Sequence, residues 1–298
     1  MDYHDPVLLQ ASIAGLEIIP DGIYVDVTFG GGGHSKELLK RLSKNGRLFA
    51  FDQDEDAKKN NLLDDRFVLI QGNFKFIKRF LRVYGVTKVN GILADLGVSS
   101  HQFDVPERGF STRFDALLDM RMDSKSELSA YEVVNTYTEA KLKAILLEYG
   151  ELNNAKAIAQ AIVKARQETP IKTSFQLKEA ISKFLPPIKQ HKILAQLFQA
   201  IRIEVNQELE VLKAFLLQTT DLLVSDGKMS IISYHSLEDR LVKNFFKYGN
   251  FEGEPEKDFY GNINTPFKKP KKLIVPSYDE IKNNNRARSA KLRIVTKI

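Results

Sequence analysis

Four short runs of apolar and β-branched residues stand in the first hundred positions: Ile23–Thr28, Arg47–Asp52, Phe67–Gln71 and Gly91–Asp95. Each is followed by a polar or glycine-bearing segment. Near-continuous hydrophobicity over so few residues is the mark of strands buried on both faces of a parallel sheet. Between them, Ser35–Leu42 and Phe74–Tyr84 carry apolar residues at helical spacing. The alternation predicts an α/β fold with a doubly wound sheet, whose right-handed crossovers bring the strand ends to one edge.

The next convincing strand, Lys228–Tyr234, begins about 130 residues after Asp95, whereas a crossover needs only a dozen or more. The excess predicts an insertion. Ser129-Ala-Tyr-Glu132 and Thr173-Ser-Phe-Gln176 are capping-box patterns, and Ala155–Arg166 and Leu177–Leu185 have helical periodicity. Residues 1–104 are therefore read as the first part of the core, 105–204 as an inserted helical domain and 205–298 as the second part of the core. A helix over Asn206–Leu223 resumes the crossover and ends at Ser225-Asp226-Gly227, where the glycine is available for a positive φ. Leu237–Lys247 reads as the following helix, Gly249–Pro276 as loop and Ala290–Thr296 as a final edge strand. No internal repeat is visible.

Composition narrows the function classes. With 43% hydrophobic residues in 298, the chain can bury a core without staples, and the lack of cysteine excludes disulfides, thiolate metal sites and a cysteine nucleophile. Metal-ligand spacing is also absent, so no metal is expected. The formal net charge is +6, and from Thr265 to the end ten basic residues face two acidic ones. Such an end suits a phosphate backbone, although a solvated basic tail has the same composition. No apolar run approaches the ~20 residues of a membrane span. The opening Met1-Asp2-Tyr3-His4-Asp5 has neither the basic nor the apolar region of an export signal, so a cytoplasmic location is expected.

The strongest local signal is Asp26-Val-Thr-Phe-Gly30-Gly-Gly-Gly33-His34-Ser35, where the first strand turns into the first helix. Glycines there let the backbone approach a bound cofactor. Asp52 ends the second strand about 20 residues later, where a carboxylate can accept both hydroxyl protons of a ribose. Alone, Asp52 could equally cap the next helix, and the pair suits a nicotinamide cofactor as well. However, the glycine run lacks the Gly-x-Gly-x-x-Gly spacing of a pyrophosphate loop. Phe74, after the third strand, either covers an adenine or staples its own helix. Asp95 ends the fourth strand, facing the reacting end of whatever the glycine loop holds, or else caps the loop that follows. His235 ends the fifth strand at the same edge, within Ser233-Tyr-His-Ser236-Leu-Glu-Asp239-Arg240, where Ser236-x-x-Asp239 also reads as a capping box.

Taken together, several motifs closely resemble the RsmH (MraW) family of bacterial small-subunit ribosomal RNA cytosine-N4 methyltransferases. They are Thr28-Phe-Gly-Gly-Gly-Gly-His34-Ser35, Asp95-Leu-Gly-Val-Ser-Ser100, Arg108-Gly-Phe-Ser111, Leu118-Asp-Met-Arg-Met-Asp123, Phe198-Gln-Ala-Ile-Arg-Ile-Glu-Val-Asn206, Ser230-Ile-Ile-Ser-Tyr-His-Ser-Leu-Glu-Asp-Arg240 and Arg286-Ala-Arg-Ser289. The match as a whole runs in order from His4 to Arg293. Gly31 and Tyr234 depart from residues common in relatives. Leu96-Gly97-Val98 also stands where DNA amino-methyltransferases carry a proline pair.

The resemblance implies a Rossmann-like S-adenosylmethionine-dependent methyltransferase core with an inserted helical, substrate-recognition domain. Its implied substrate is one cytidine in the decoding region of 16S rRNA, within the assembled small ribosomal subunit. Cofactor contacts carry over to Gly32, Gly33, His34, Asp52, Phe74, Asp95 and Gln102, the last from the family alone. Asp95 is the expected acceptor for the amine proton, with His235 and Ser236 orienting the base. Arg113, Arg121, Arg286 and Arg288 are the expected RNA contacts. A non-catalytic RNA-binding factor with the same basic tail is the rival reading.

Overall fold

In a computed structural model, which describes residues 6–257, 259–261 and 264–298, the chain divides into two compact units. One comprises the chain up to Gly97 together with Leu209–Ile298, and the other Val98–Glu208. His4, where that match begins, lies outside the described residues.

In the first unit, helix α1 (Leu9–Gly15) precedes strand β1 (Ile23–Asp26), α2 (Gly33–Leu39), β2 (Arg47–Asp52), β3 (Phe67–Gln71), α3 (Ile77–Val83) and β4 (Val89–Asp95). All four predicted strands are present, within a few residues at each end. They pair in parallel, with Tyr24 opposite both Leu48 and Gly91. Alternate side chains supply two cores. Val25, Phe49, Phe51 and Ile92 lie in one apolar cluster, and Tyr24, Leu48, Ala50 and Leu93 in another with α1 and α2. Burial on both faces is why these strands read as unbroken apolar runs.

The second unit is helical: α4 (Ser100–Asp104), α5 (Ala130–Thr136), α6 (Glu139–Glu148), α7 (Ala155–Glu168), α8 (Ser174–Ala180) and α9 (Gln190–Asn206). Both predicted capping boxes form, Ser129 with Glu132 and Thr173 with Gln176. The expected helix over 177–185 instead breaks after Ala180, and a 3-10 turn at Ser182–Phe184 leads into Pro186 and Pro187, which cannot donate to a helix. This unit has its own core, around Val133, Leu146, Ile158 and Leu197. Asn206 ties the end of α9 to the preceding long loop. Its side chain accepts from the Met122 amide at 2.7 Å and donates to the Met120 carbonyl at 2.8 Å.

The chain returns to the first unit through α10 (Glu208–Leu222), β5 (Leu223–Ser233), α11 (Ser236–Tyr248), α12 (Tyr278–Asn283) and β6 (Lys291–Thr296). The six-stranded sheet has the order β3-β2-β1-β4-β5-β6, with β6 antiparallel at the edge. This is the strand order of dinucleotide-binding folds with its last strand reversed. The expected turn at 225–227 survives as an irregularity within β5, since Leu223 pairs with Val89 but Lys228 with Gly91. There Asp226, not Gly227, takes the positive φ of 64°. Gly227 serves close packing instead, because a Cβ on it would meet the Val224 carbonyl oxygen at 2.9 Å.

Candidate active site

The strand order reverses between β1 and β4, whose outer neighbours are β2 and β5, and ligands of open α/β sheets bind at the carboxyl ends of such strands. Three carboxylates gather there: Asp26 ends β1, Asp52 ends β2 and Asp95 ends β4. The loop after β1 continues the sheet before it turns. The Val27 amide donates to the Leu93 carbonyl and the Phe29 amide to the Phe51 carbonyl, each at 2.9 Å. Gly30 and Gly32 then take φ of 51° and 76°, conformations that a β-carbon penalises.

Asp52 is bound to this loop. One carboxylate oxygen accepts from the Gly30 amide at 2.8 Å, and the other from the Asp54 amide at 2.9 Å. Burial pushes its pKa up to about 6, against the two amides. The capping alternative falls to another residue, since Asp54 caps the 3-10 turn over Glu55–Asn60. Each Asp52 oxygen keeps a second acceptor direction, the requirement for holding a vicinal diol.

Asp26 is 1% exposed, and burial raises its pKa although His34, Ser35 and Thr28 oppose the shift. The Ser35 hydroxyl donates to it at 2.7 Å and the Thr28 amide at 3.1 Å. Asp95, whose side chain keeps 23% exposure, is likewise raised by burial, with His34 and Tyr234 acting against it. Thr28 Oγ1 accepts from the Asp95 amide at 2.6 Å, and the Tyr234 hydroxyl donates to Asp95 Oδ1 at 2.7 Å. His34 sits among these acids: Nε2 is 3.2 Å from the Val7 carbonyl, and Nδ1 is 3.8 Å from Asp95 Oδ2. Buried carboxylates of raised pKa at one edge favour a cationic guest, whose charge would lower those pKa values again.

The other nominated residues are placed as follows. Gly32 and Gly33 open α2, Gly32 as its N-cap. Phe74 begins a 3-10 turn and meets Phe215 edge-on, with ring centroids 5.3 Å apart, so much of its ring is spent on the core. Gln102 belongs to the helical unit, where its side chain accepts from the Ser99 amide at 3.1 Å to complete the capping box of α4.

The capping box expected from Ser236 and Asp239 does not form. His235 is the N-cap of α11, receiving the Glu238 amide on Nδ1 at 3.5 Å, while Glu238 accepts the Tyr234 amide at 3.0 Å. Ser236 is the first helical residue. Asp239 is thereby freed to hold β6, taking Arg293 Nε at 2.7 Å and Lys291 Nζ at 3.2 Å.

Of the arginines, Arg113 is exposed, with its guanidinium 5.7 Å from the Phe103 ring centroid. Arg121 is engaged within its own loop, donating to Asp119 at 2.7 Å and to the Ser126 carbonyl at 2.8 Å. Arg286 is half-buried and Arg288 exposed, in a 3-10 turn over Asn285–Ser289. Sequence reasoning left Asp26, Ser35 and Tyr234 without roles. Asp26 did carry a signal, as an acid closing a strand that is otherwise apolar.

The MraW methylase family model matches residues 1–298. The chain is 66% identical over 298 residues to the ribosomal RNA small subunit methyltransferase H of Flavobacterium johnsoniae, covering 100% of this chain and 99% of that one. It is 61% identical to the protein of the same name from Christiangramia forsetii, with the same coverage. Among solved structures, an rRNA methylase from Streptococcus thermophilus aligns over 97% of this chain and 95% of that one. That alignment has 12% identity and a TM-score of 0.39, too low to add to the strand order. With the model spanning its whole length and two near-full-length relatives above 60% identity, the chain belongs to the MraW methylase family.

Proposed function

We propose that this protein transfers the methyl group of S-adenosylmethionine to the exocyclic N4 amine of one cytidine in the decoding region of 16S rRNA. The proposed substrate is the assembled small ribosomal subunit in the cytoplasm. The names of its relatives support an rRNA substrate, and the motif resemblance supports the position. No helix among the described residues is long and apolar enough to cross a membrane.

The observation that carries the reading is the acid edge beside the glycine loop, where Asp26, Asp52 and Asp95 end three strands and burial raises the pKa of each. We assign Asp52 to the ribose diol and Asp26 and Asp95 to the cationic groups. These residues fit a cofactor that joins a ribose to a sulfonium and an ammonium group. When bound, S-adenosylmethionine supplies an electrophilic methyl whose C–S bond breaks as the new C–N bond forms.

The chain's own part is positioning and proton removal. The amine lone pair is delocalised into the ring of cytosine, so an acceptor must draw off an N–H as the nitrogen becomes tetrahedral. We assign this role to Asp95, which is supported by its place at the end of β4, where Tyr234 donates to Oδ1 and His34 lies near Oδ2. The proton drawn from the amine would end on Asp95. A base inside a duplex is unreachable, so the cytidine is unstacked when it is methylated.

The test incubates the protein with methyl-labelled S-adenosylmethionine and small subunits from a strain lacking this gene, then identifies the labelled nucleoside. Label in N4-methylcytidine is expected. Label on another nucleoside, or none despite demonstrated cofactor binding, overturns the substrate assignment.

A further inference from the structure

The helical unit is electrically uneven. Between Lys172 and Lys192 it carries five lysines and a single acid, Glu179, whereas the rest of Val98–Glu208 carries ten basic and thirteen acidic side chains. Outside that stretch several cations are spent internally. Arg121 binds Asp119, Arg202 binds Glu208, Lys141 lies 3.5 Å from Glu204, and Arg166 donates to the Val134 and Tyr137 carbonyls. By contrast Lys172, Lys183, Lys189 and Lys192 are exposed and Lys178 is half-exposed, and none of the five pairs with a carboxylate among the described residues.

Two exposed rings belong to or adjoin the start of this segment. Phe175 is 46% exposed, with Lys178 Nζ 5.8 Å from its ring centroid, and Phe114 is 42% exposed. Their backbones are joined. Ser174 donates from Oγ to the Phe114 carbonyl at 2.7 Å and from its amide to the Ala116 carbonyl at 2.9 Å, and the Phe175 amide donates to Asp115 at 3.1 Å. Exposed aromatic rings on hydrogen-bonded segments, in a stretch whose lysines have no carboxylate partner among the described residues, match unpaired nucleotides. Bases stack on the rings and phosphates meet the lysines, which a duplex, with its bases already stacked, cannot do.

We infer that Phe114, Phe175 and the lysine-rich segment Lys172–Lys192 of the helical unit dock a single-stranded stretch of the RNA substrate. The inference rests on the proposed function for the identity of the RNA and adds where the RNA is held. It assigns to the RNA residues that lie outside the family motifs quoted above.

The test uses the full chain. Binding of an unstructured oligopyrimidine RNA and of an RNA duplex is measured by fluorescence anisotropy across a salt series, for the wild type, Phe175→Ala and Lys172→Gln/Lys178→Gln/Lys183→Gln. Melting curves and S-adenosylhomocysteine affinity report on folding. Phe175→Ala should weaken the single strand on the order of tenfold, since stacking of each base on an aromatic ring is worth about that much. The lysine variant should flatten the salt dependence by about 0.7 in log–log slope for each phosphate it no longer neutralises. In methyl transfer, the effect should fall on KM for small subunits rather than on cofactor affinity.

Unchanged RNA affinity in both folded variants overturns the inference and leaves these residues to a protein partner. Equal binding of duplex, or a lysine effect without a Phe175 effect, overturns the stacking. If the variants behave as expected but the wild type methylates no subunit RNA, the proposed function fails while the docking surface stands. If the wild type methylates and neither variant changes KM, the docking surface alone fails.

Discussion

The proposed contact of Asp52 with a ribose predicts that affinity for an adenosyl cofactor depends on pH near 6. The Asp52 carboxylate titrates at about 6 because burial disfavours the charge more than the amides of Gly30 and Asp54 favour it. Only the ionised form offers acceptors on both oxygens to a ribose diol. At pH 7.5 nearly all of it is ionised, and at pH 5 about a tenth, so affinity should fall about tenfold between the two. S-adenosylhomocysteine is the ligand of choice, because its neutral sulfur separates the ribose contact from attraction of a cation by Asp26 and Asp95. Asp52→Asn removes the charge and one acceptor at constant shape. Hydrogen bonds to a charged group are worth about 1.5–3 kcal/mol, so Kd at pH 7.5 should rise roughly 10- to 150-fold.

Isothermal titration at five pH values between 5 and 7.5 would measure both effects, and the wild-type-minus-variant difference isolates Asp52 from Asp26 and Asp95. A variant Kd within threefold of the wild type, or parallel pH dependences for the two proteins, would refute the reasoning. The unliganded protein should respond in the opposite sense. A carboxylate whose folded pKa is raised contributes stability that is fully present below its unfolded pKa and is lost as pH rises through about 6. At neutral pH the buried charge therefore costs about 3 kcal/mol, part of which Asp52→Asn should return as a higher Tm.

Two further substitutions probe the rest of the unit. Tyr234→Phe removes the hydroxyl donated to Asp95 at 2.7 Å, which holds down a pKa already raised by burial. The acid limb of the kcat profile should move to higher pH while S-adenosylhomocysteine affinity at pH 8 stays within twofold; an unshifted limb would remove Tyr234 from the positioning of Asp95. Asp239→Ala strands Arg293 and Lys291 on β6 and should cost about 2–4 kcal/mol in denaturant unfolding at pH 7. Burial raises the Asp239 pKa, but Arg293 and Lys291 outweigh it and leave the pKa lowered. Its stabilisation is therefore present above the ordinary aspartate range and lost as pH falls through the folded value, and the gap between wild type and variant should close in acid. A gap that persists there would point to poorer packing rather than to the missing charge.

Much of the first unit was legible because its information is local. A strand buried on both faces must be apolar throughout, and a glycine loop followed by Asp52 at the end of the next strand marks one edge of a parallel sheet. The insertion was legible from length alone, since no single crossover spans the distance from Asp95 to Lys228. Local pattern was weakest where two candidates adjoin. Ser236 and His235 both precede an acid three residues on, and the extended backbone at His235 gives it the cap. Asp226 and Gly227 both suit a turn, and the approach of the Val224 carbonyl reserves the glycine for the crowded position.

The sequence by itself determined the α/β class, the interrupted core and the acids at the strand ends, because hydrophobic period and turn chemistry are written within a few residues of one another. Tertiary structure alone decided what those acids became. The bond from Tyr234 to Asp95 joins residues 139 positions apart, and it exists because β5 pairs with β4 in a register that sets Ile232 opposite Asp95. His34 stands against Asp95 only because β1 and β4 are neighbours. Burial, which raises Asp26, Asp52 and Asp95 together, is a property of everything packed around them, and no local window of the chain contains it.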